Sequence, residues 1–293
     1  MDPSPESAAL PPRISASGAP GVRGSATGQV PRDLRAATPS PNPLNGHVEI
    51  RGAVSEIFSS LQGEGLYLGE RHVFLRLAGC PWRCRYCDTA DSLTDEGAPR
   101  LTVQETLKKV GECLGQRPHK AASLTGGEPL AQTDFLEALL PGLKALGLRT
   151  YLETSATQPH LFRRVAGDID VVAADIKLPS AIGRSFWAEH EEFLRLAGEK
   201  AFAKLVLTAQ TTDEEMEETV NLLQRLTPTP PLVLQPVTPI LDLECRLQDA
   251  PSASPAQIAP PPPARIAAWW DWARQKLPVV KLIPQMHPVW GLP

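Results

Sequence analysis

From residue 47 onward, short β-rich runs alternate with segments of helical periodicity. That alternation restricts the chain to an α/β fold in which a mostly parallel sheet is joined by crossover helices. The expected strands are residues 72–77, 121–124, 150–153, 171–175, 203–207, 232–235 and 279–283. Residues 101–114 read as a helix, because Thr102 and Glu105 have capping-box spacing ahead of Leu107, Val110 and Leu114. Thr212 and Glu215 repeat the device before Met216, Val220, Leu223 and Leu226. Residues 134–146 form a third expected helix, which Pro141 should kink or break because proline lacks the N–H donor and crowds the preceding turn. A proline-rich connection, 251–263, leads to a helix over 264–276.

Residues 1–46 are different. They are rich in Pro, Ser, Gly and Ala and show no apolar periodicity, so they read as a disordered extension to a catalytic domain spanning 47–293. Arg13, Arg23, Arg32 and Arg35 would suit a transit peptide, but Asp2, Glu6 and Asp33 argue against one. The formal net charge is −4, from 29 basic and 33 acidic residues mixed along the chain, so nucleic acid is not an expected direct ligand. No apolar run approaches the roughly 20 residues that span a bilayer, and no secretory signal opens the chain. The expectation is a cytoplasmic protein without a membrane partner.

Three of the five cysteines fall within eight residues, which suits a metal centre in a reducing compartment and not a disulfide framework. They are Cys80, Cys84 and Cys87 in Gly79-Cys80-Pro81-Trp82-Arg83-Cys84-Arg85-Tyr86-Cys87-Asp88-Thr89, a loop after an expected strand. The CxxxCxxC spacing lets one loop wrap three thiolates around a cuboidal iron-sulfur cluster. A four-iron cluster so held keeps one iron open, whereas structural zinc wants a fourth Cys or His that the motif lacks. Cys113, on the helical face of Thr106 and Val110, and Cys245 read as incidental thiols.

In parallel α/β sheets, ligands gather at the carboxyl ends of the strands. The polar motifs fall there: Thr125-Gly126-Gly127-Glu128-Pro129, Glu153-Thr154-Ser155, Asp175-Ile176-Lys177 and Gln235-Pro236. Paired glycines permit close backbone approach, and a carboxylate such as Glu128 can meet an ammonium group.

The cysteine spacing and the Tyr86-Cys87 pair resemble the radical S-adenosylmethionine superfamily. The resemblance implies a partial (βα) barrel holding a 4Fe-4S cluster, whose open iron binds S-adenosylmethionine and whose electron cleaves it to methionine and a 5′-deoxyadenosyl radical. Glu56-Ile57-Phe58-Ser59-Ser60-Leu61-Gln62-Gly63-Glu64-Gly65 and Phe74-Leu75-Arg76-Leu77-Ala78-Gly79 narrow it further. Together with Cys87-Asp88-Thr89, residues 125–129, Glu153, Gln235-Pro236 and a His-bearing end, they resemble the 7-carboxy-7-deazaguanine synthase family. That family converts 6-carboxy-5,6,7,8-tetrahydropterin to 7-carboxy-7-deazaguanine with loss of ammonia, on the way to deazapurines such as queuosine.

The resemblance implies a substrate set of Leu61, Gln62, Gly63, Glu64, Arg76, Thr125, His287 and the carboxylate of Pro293. It implies S-adenosylmethionine contacts from Tyr86, Cys87, Asp88, Gly127, Glu128, Glu153, Asp175, Lys177, Gln235 and Pro236, and a magnesium ligand in Thr89. It further implies a reductant such as flavodoxin or ferredoxin, and it admits a homodimer. Chemically, Arg76 is a planar fork suited to a carboxylate, and Gln62 with the backbone of Leu61 and Gly63 can read a pterin edge. A surface ion pair for Arg76, a glycine-bearing loop at 61–63 and a turn or cap role for Thr89 are the plain alternatives. Rival functions are an activating enzyme that plants a glycyl radical on a partner protein and a non-enzymatic metal-binding module.

Overall fold

All seven expected strands form, and two more join them at one side. In chain order they are β1 (Arg51–Leu61), β2 (Arg71–Leu77), β3 (Arg100–Thr102), β4 (Ala121–Gly126), β5 (Arg149–Thr154), β6 (Val171–Asp175), β7 (Ala201–Leu207), β8 (Leu232–Pro236) and β9 (Val280–Leu282). The sheet order is β3-β1-β2-β4-β5-β6-β7-β8-β9. From β2 to β9 every neighbouring pair is parallel, whereas β1 runs antiparallel to both β2 and β3. The computed structural model describes residues 49–115, 117–238 and 259–292. The expected disordered tail, most of the proline-rich connection, Cys245 and Pro293 lie outside them.

The helices are α1 (Val103–Leu114), α2 (Thr133–Ala145), α3 (Pro159–Val165), α4 (Pro179–Ile182), α5 (Trp187–Ala197), α6 (Asp213–Gln224), α7 (Pro263–Arg274) and α8 (His287–Trp290). Both capping boxes are present, at Thr102 with Glu105 and at Thr212 with Glu215. Pro141 neither breaks nor ends α2, contrary to expectation. It sits on the exposed face, where water can meet the carbonyl it leaves unpaired, while Leu136, Leu139, Leu140 and Leu143 anchor the other face in the core. Among the described residues, no helix is long and apolar enough to cross a membrane.

Strand alternation divides the sheet into two faces. One face packs Leu75, Leu77, Leu124, Leu152, Val172, Leu205 and Leu234 into a core with Leu139, Phe162, Phe193 and Leu223 from the helices. Such strands, covered by helices, read as near-continuous apolar runs. The other face is tiered. Toward the strand starts, Ala121, Tyr151, Val171, Ala173, Phe202 and Val233 make a separate apolar plug. Two or four residues further along the same strands, and so on the same face, stand Thr125, Glu153, Asp175, Lys204 and Gln235. The side chains switch from oil to charge within one layer, and the site sits on that switch.

Candidate active site

Above the plug, the strand ends surround an open cavity of about 590 Å³. Its lining brings together residues from every part of the sequence. Cys80, Cys84 and Cys87 line it together with Arg76, Thr125 and Gly127, with Glu153, Asp175, Lys204 and Gln235 from the strand ends, and with Gln62, Glu64 and His287.

The cysteine loop is fixed by its backbone. Gly79 N donates to Ser92 O at 2.8 Å, Cys80 N to Leu93 O at 3.1 Å and Cys87 N to Cys84 O at 3.2 Å. Burial pushes the Cys80 thiol up to about 11 and raises that of Cys84 as well. These thiols therefore favour the protonated form in the bare chain and ionise when a metal takes the proton's place. Cys113 is remote from them, its thiol turned to Ile57 O at 3.7 Å on another face. Two buried acceptors that line the same cavity, Asp175 Oδ1 and Gln235 Oε1, have no protein partner. An organic ligand rich in hydroxyl and amino donors fits those two open acceptors, so the three thiols and these acceptors together suit a cluster with its cosubstrate.

Glu128, expected to meet an ammonium group, lines the cavity, is 1% exposed and already accepts four bonds from within the chain. Oε1 accepts from Leu130 N at 3.1 Å and Thr154 Oγ1 at 2.8 Å, and Oε2 from Ser155 N at 2.8 Å and Ser155 Oγ at 2.5 Å. It acts as a clamp that ties the loop after β4 to the loop after β5. At the end of β8, Gln235 and Val237 line the cavity and Pro236 does not.

Glu153, expected in the cosubstrate set, is bonded to Gln62 and Thr125. Gln62 Nε2 donates to Glu153 Oε1 at 2.9 Å and Thr125 Oγ1 to Oε2 at 3.0 Å. Burial raises the Glu153 carboxyl pKa, and the nearby Glu64 charge adds to the rise. Glu64 behaves oppositely. Burial alone would raise it, but the Lys204 ammonium at 2.6 Å and a 2.8 Å bond from Gln285 Nε2 bring it down to about 2. Lys204 also lies 3.5 Å from Asp175, which pairs with Lys177 at 3.0 Å, and Lys177 reaches Tyr86 OH at 3.4 Å. Charges of opposite sign thus alternate across the floor.

Arg76 lines the cavity, with Nε on Glu56 at 3.1 Å and its guanidinium 5.5 Å from the Phe58 ring centroid. Thr89 caps the short turn Ala90–Ser92 by position, yet its side chain makes no capping bond. Its hydroxyl donates to Gly126 O at 3.3 Å, so the oxygen stays available as a ligand. The carbonyl of Gly63, expected to read the pterin, accepts from Met286 N at 2.9 Å instead. Glu64, Asp88 and His287 offer ligand atoms within 4.8 Å of one another, but the Gln285 amide donates to both carboxylates, at 2.8 and 2.9 Å, where a cation would otherwise sit.

Sequence reasoning missed Lys204 and Gln285. Lys204 had a signal: a lone charge in the strand Ala201–Leu207, whose other residues are all buried, must face a polar cavity. Gln285 had none, since it follows a short strand in an irregular segment.

The Radical SAM superfamily profile matches residues 75–223. A 7-carboxy-7-deazaguanine synthase of Geobacter sulfurreducens is 33% identical over 81% of this chain and 96% of its own length. Another, from Thermococcus kodakarensis, is 32% identical over 68% of this chain and 89% of its own. Among solved structures, the crystal structure of QueE from Escherichia coli superposes with a TM-score of 0.52 at 21% identity, covering 80% of this chain and 94% of that one, which speaks for the fold.

Proposed function

Because this chain belongs to the 7-carboxy-7-deazaguanine synthase family of radical S-adenosylmethionine enzymes, and so converts 6-carboxy-5,6,7,8-tetrahydropterin to 7-carboxy-7-deazaguanine with loss of ammonia, we propose that the tiered cavity divides the work between two half-sites. Cys80, Cys84 and Cys87 hold the 4Fe-4S cluster, and Gly127, Asp175, Lys177 and Gln235, with Tyr86 and Asp88 nearby, receive S-adenosylmethionine. When bound, these two cofactors supply the radical that starts the reaction.

The chain's own contribution is placement. Arg76 keeps its Nη edge for the substrate carboxylate while Glu56 holds Nε. An aminopyrimidinone edge offers adjacent N–H donors, which a permanently ionised carboxylate such as Glu64 matches in two-point fashion. Gln62, Thr125 and Glu153 form one bonded unit behind it, and His287 closes the side. Thr89, whose hydroxyl donates to Gly126 O, would offer a hard oxygen to magnesium. A cluster that must be kept reduced suits a cytoplasmic setting and a small electron carrier such as flavodoxin or ferredoxin. A homodimer is compatible with this arrangement.

The observation that carries this reading is the meeting of Arg76, ionised Glu64 and three thiols on one cavity. The test is anaerobic incubation of the reconstituted chain with reductant, S-adenosylmethionine, magnesium and the carboxylated tetrahydropterin. Product of deazaguanine mass is expected. Cleavage of S-adenosylmethionine without that product would overturn the substrate assignment.

A further inference from the structure

We propose that Lys204 is a positioning residue for the pterin: it holds Glu64 in place as the acceptor for the substrate's N–H edge and ties that acceptor, through Asp175, to the cosubstrate side of the cavity. The proposal rests on the assignment of half-sites above and goes beyond it by naming the side chain that links them.

The geometry is specific. Lys204 comes from the middle of β7 and is 12% exposed, between Glu64 Oε2 at 2.6 Å and Asp175 Oδ2 at 3.5 Å. Glu64 belongs to the connection after β1, 140 residues away, so the ammonium is a bridge between distant parts of the chain. A buried ion pair is a poor device for stability, since apolar residues of similar volume often do as well. Here the plug directly beneath shows that the fold fills the same face with Phe202 and Val233 where charge has no task.

The groups facing Glu64 explain what the ammonium does. Glu153 and Tyr151 approach from β5, His287 and Gln285 from the terminal segment, Asp88 through Gln285, and Asp175 from β6 on the other side of Lys204. Most are acidic or neutral, so removing Lys204 leaves Glu64 buried among carboxylates. Taking up a proton would then convert it from an acceptor of two N–H donors to a mismatched partner.

The experiment uses the full chain with its cluster, under anaerobic conditions, and measures the Kd of 6-carboxy-5,6,7,8-tetrahydropterin by calorimetry from pH 8 to pH 6. Lys204→Met is expected to weaken binding at least tenfold at pH 7, and its Kd relative to the unaltered chain should grow as the pH falls. In a Glu64→Gln background the same substitution should change Kd less than threefold, because the group it serves is gone. Lys204→Arg, which keeps a cation beside Glu64, should remove the growth with acid. A Kd ratio independent of pH, or a full loss that persists in Glu64→Gln, would overturn the proposal. If Lys204→Met fails to load the cluster, Lys204→Gln carries the same expectations. Should the unaltered chain not bind the pterin at all, the assignment of half-sites falls first, and the two failures are told apart.

Discussion

Arg76 and the cysteines show how a side chain's task follows from what it faces. Arg76 is held by Glu56 on one edge and by Phe58 on its face, so its remaining fork is aimed before any ligand arrives. Arg76→Lys replaces that fork with a point charge and should weaken the carboxylated pterin by a factor on the order of ten to a hundred. Equilibrium binding with a decarboxylated analogue is the control, since that ligand should not distinguish the two proteins. Cys84→Ala should abolish the cluster's visible absorption after reconstitution, whereas Cys113→Ala should keep it, its thiol being turned to Ile57 O. Thr89→Val removes a hydroxyl oxygen whose lone pairs no capping bond uses, and most of the stimulation of turnover by magnesium should go with it. The cysteines and Thr89 were legible in the sequence because their spacing is local. The four bonds that tie Glu128 into the loops after β4 and β5 were not, since Ser155 lies 27 residues away and only the fold brings it near.

At the scale of elements, the capping boxes and the buried parallel strands could be read directly, because each signal is complete within a dozen residues. β1 could not. Its sequence, RGAVSEIFSSL, breaks its apolar residues with Ser55, Glu56, Ser59 and Ser60 and is only partly buried, so it lacks the continuous apolar run of β7. Nor does sequence reveal what pins the strand-end loops. His190 in α5 does so by accepting from Lys177 N at Nε2, 3.0 Å, while Nδ1, which therefore carries the proton, donates to Ala156 O at 3.2 Å. Ala156 is the non-glycine residue held at positive φ, +53°, a conformation that costs energy and needs such support. A second proton on His190 would face the Lys177 N–H, and burial lowers its pKa from 6.5 to about 4. The native state thus refuses a proton that the unfolded chain accepts below pH 6.5. His190's contribution is intact above that pH and falls as acid is added through the window down to about 4. The loss amounts to about 3 kcal/mol when complete. Urea unfolding at pH 7 and pH 4.5 should show the unaltered chain losing more stability than His190→Gln, which has nothing to titrate.

Over the whole molecule, the decisive contact joins the segment after β9 to the loop after β1. The chain leaves β9 and returns across the cavity, where Met286 N bonds Gly63 O at 2.9 Å and Gln285 reaches Glu64, 221 positions earlier. His287 is thereby set in the cavity lining, while Val289 and Trp290 remain exposed, so the segment is held by its first residues and not by its apolar end. Removing residues 287–293 should weaken pterin binding at least tenfold yet leave cluster loading and the unfolding midpoint nearly unchanged, since β9 ends at Leu282 and Gln285, which bonds Asp88 next to Cys87, is retained. A subtler variant reaches the same state from the other side. Gly63 has an ordinary backbone conformation that admits a side chain, but an added Cβ would stand 2.7 Å from His287 Cβ and 2.8 Å from His287 N. Gly63→Ala must therefore push the terminal segment away, and its effect on the pterin Kd should match that of the truncation. Combined with the truncation it should add little, because the neighbour it displaces is already absent. If Gly63→Ala weakened binding as much in the truncated chain as in the whole one, the loss would belong to the pocket wall itself, and the returning tail would be a cover over the substrate and not a part of its site.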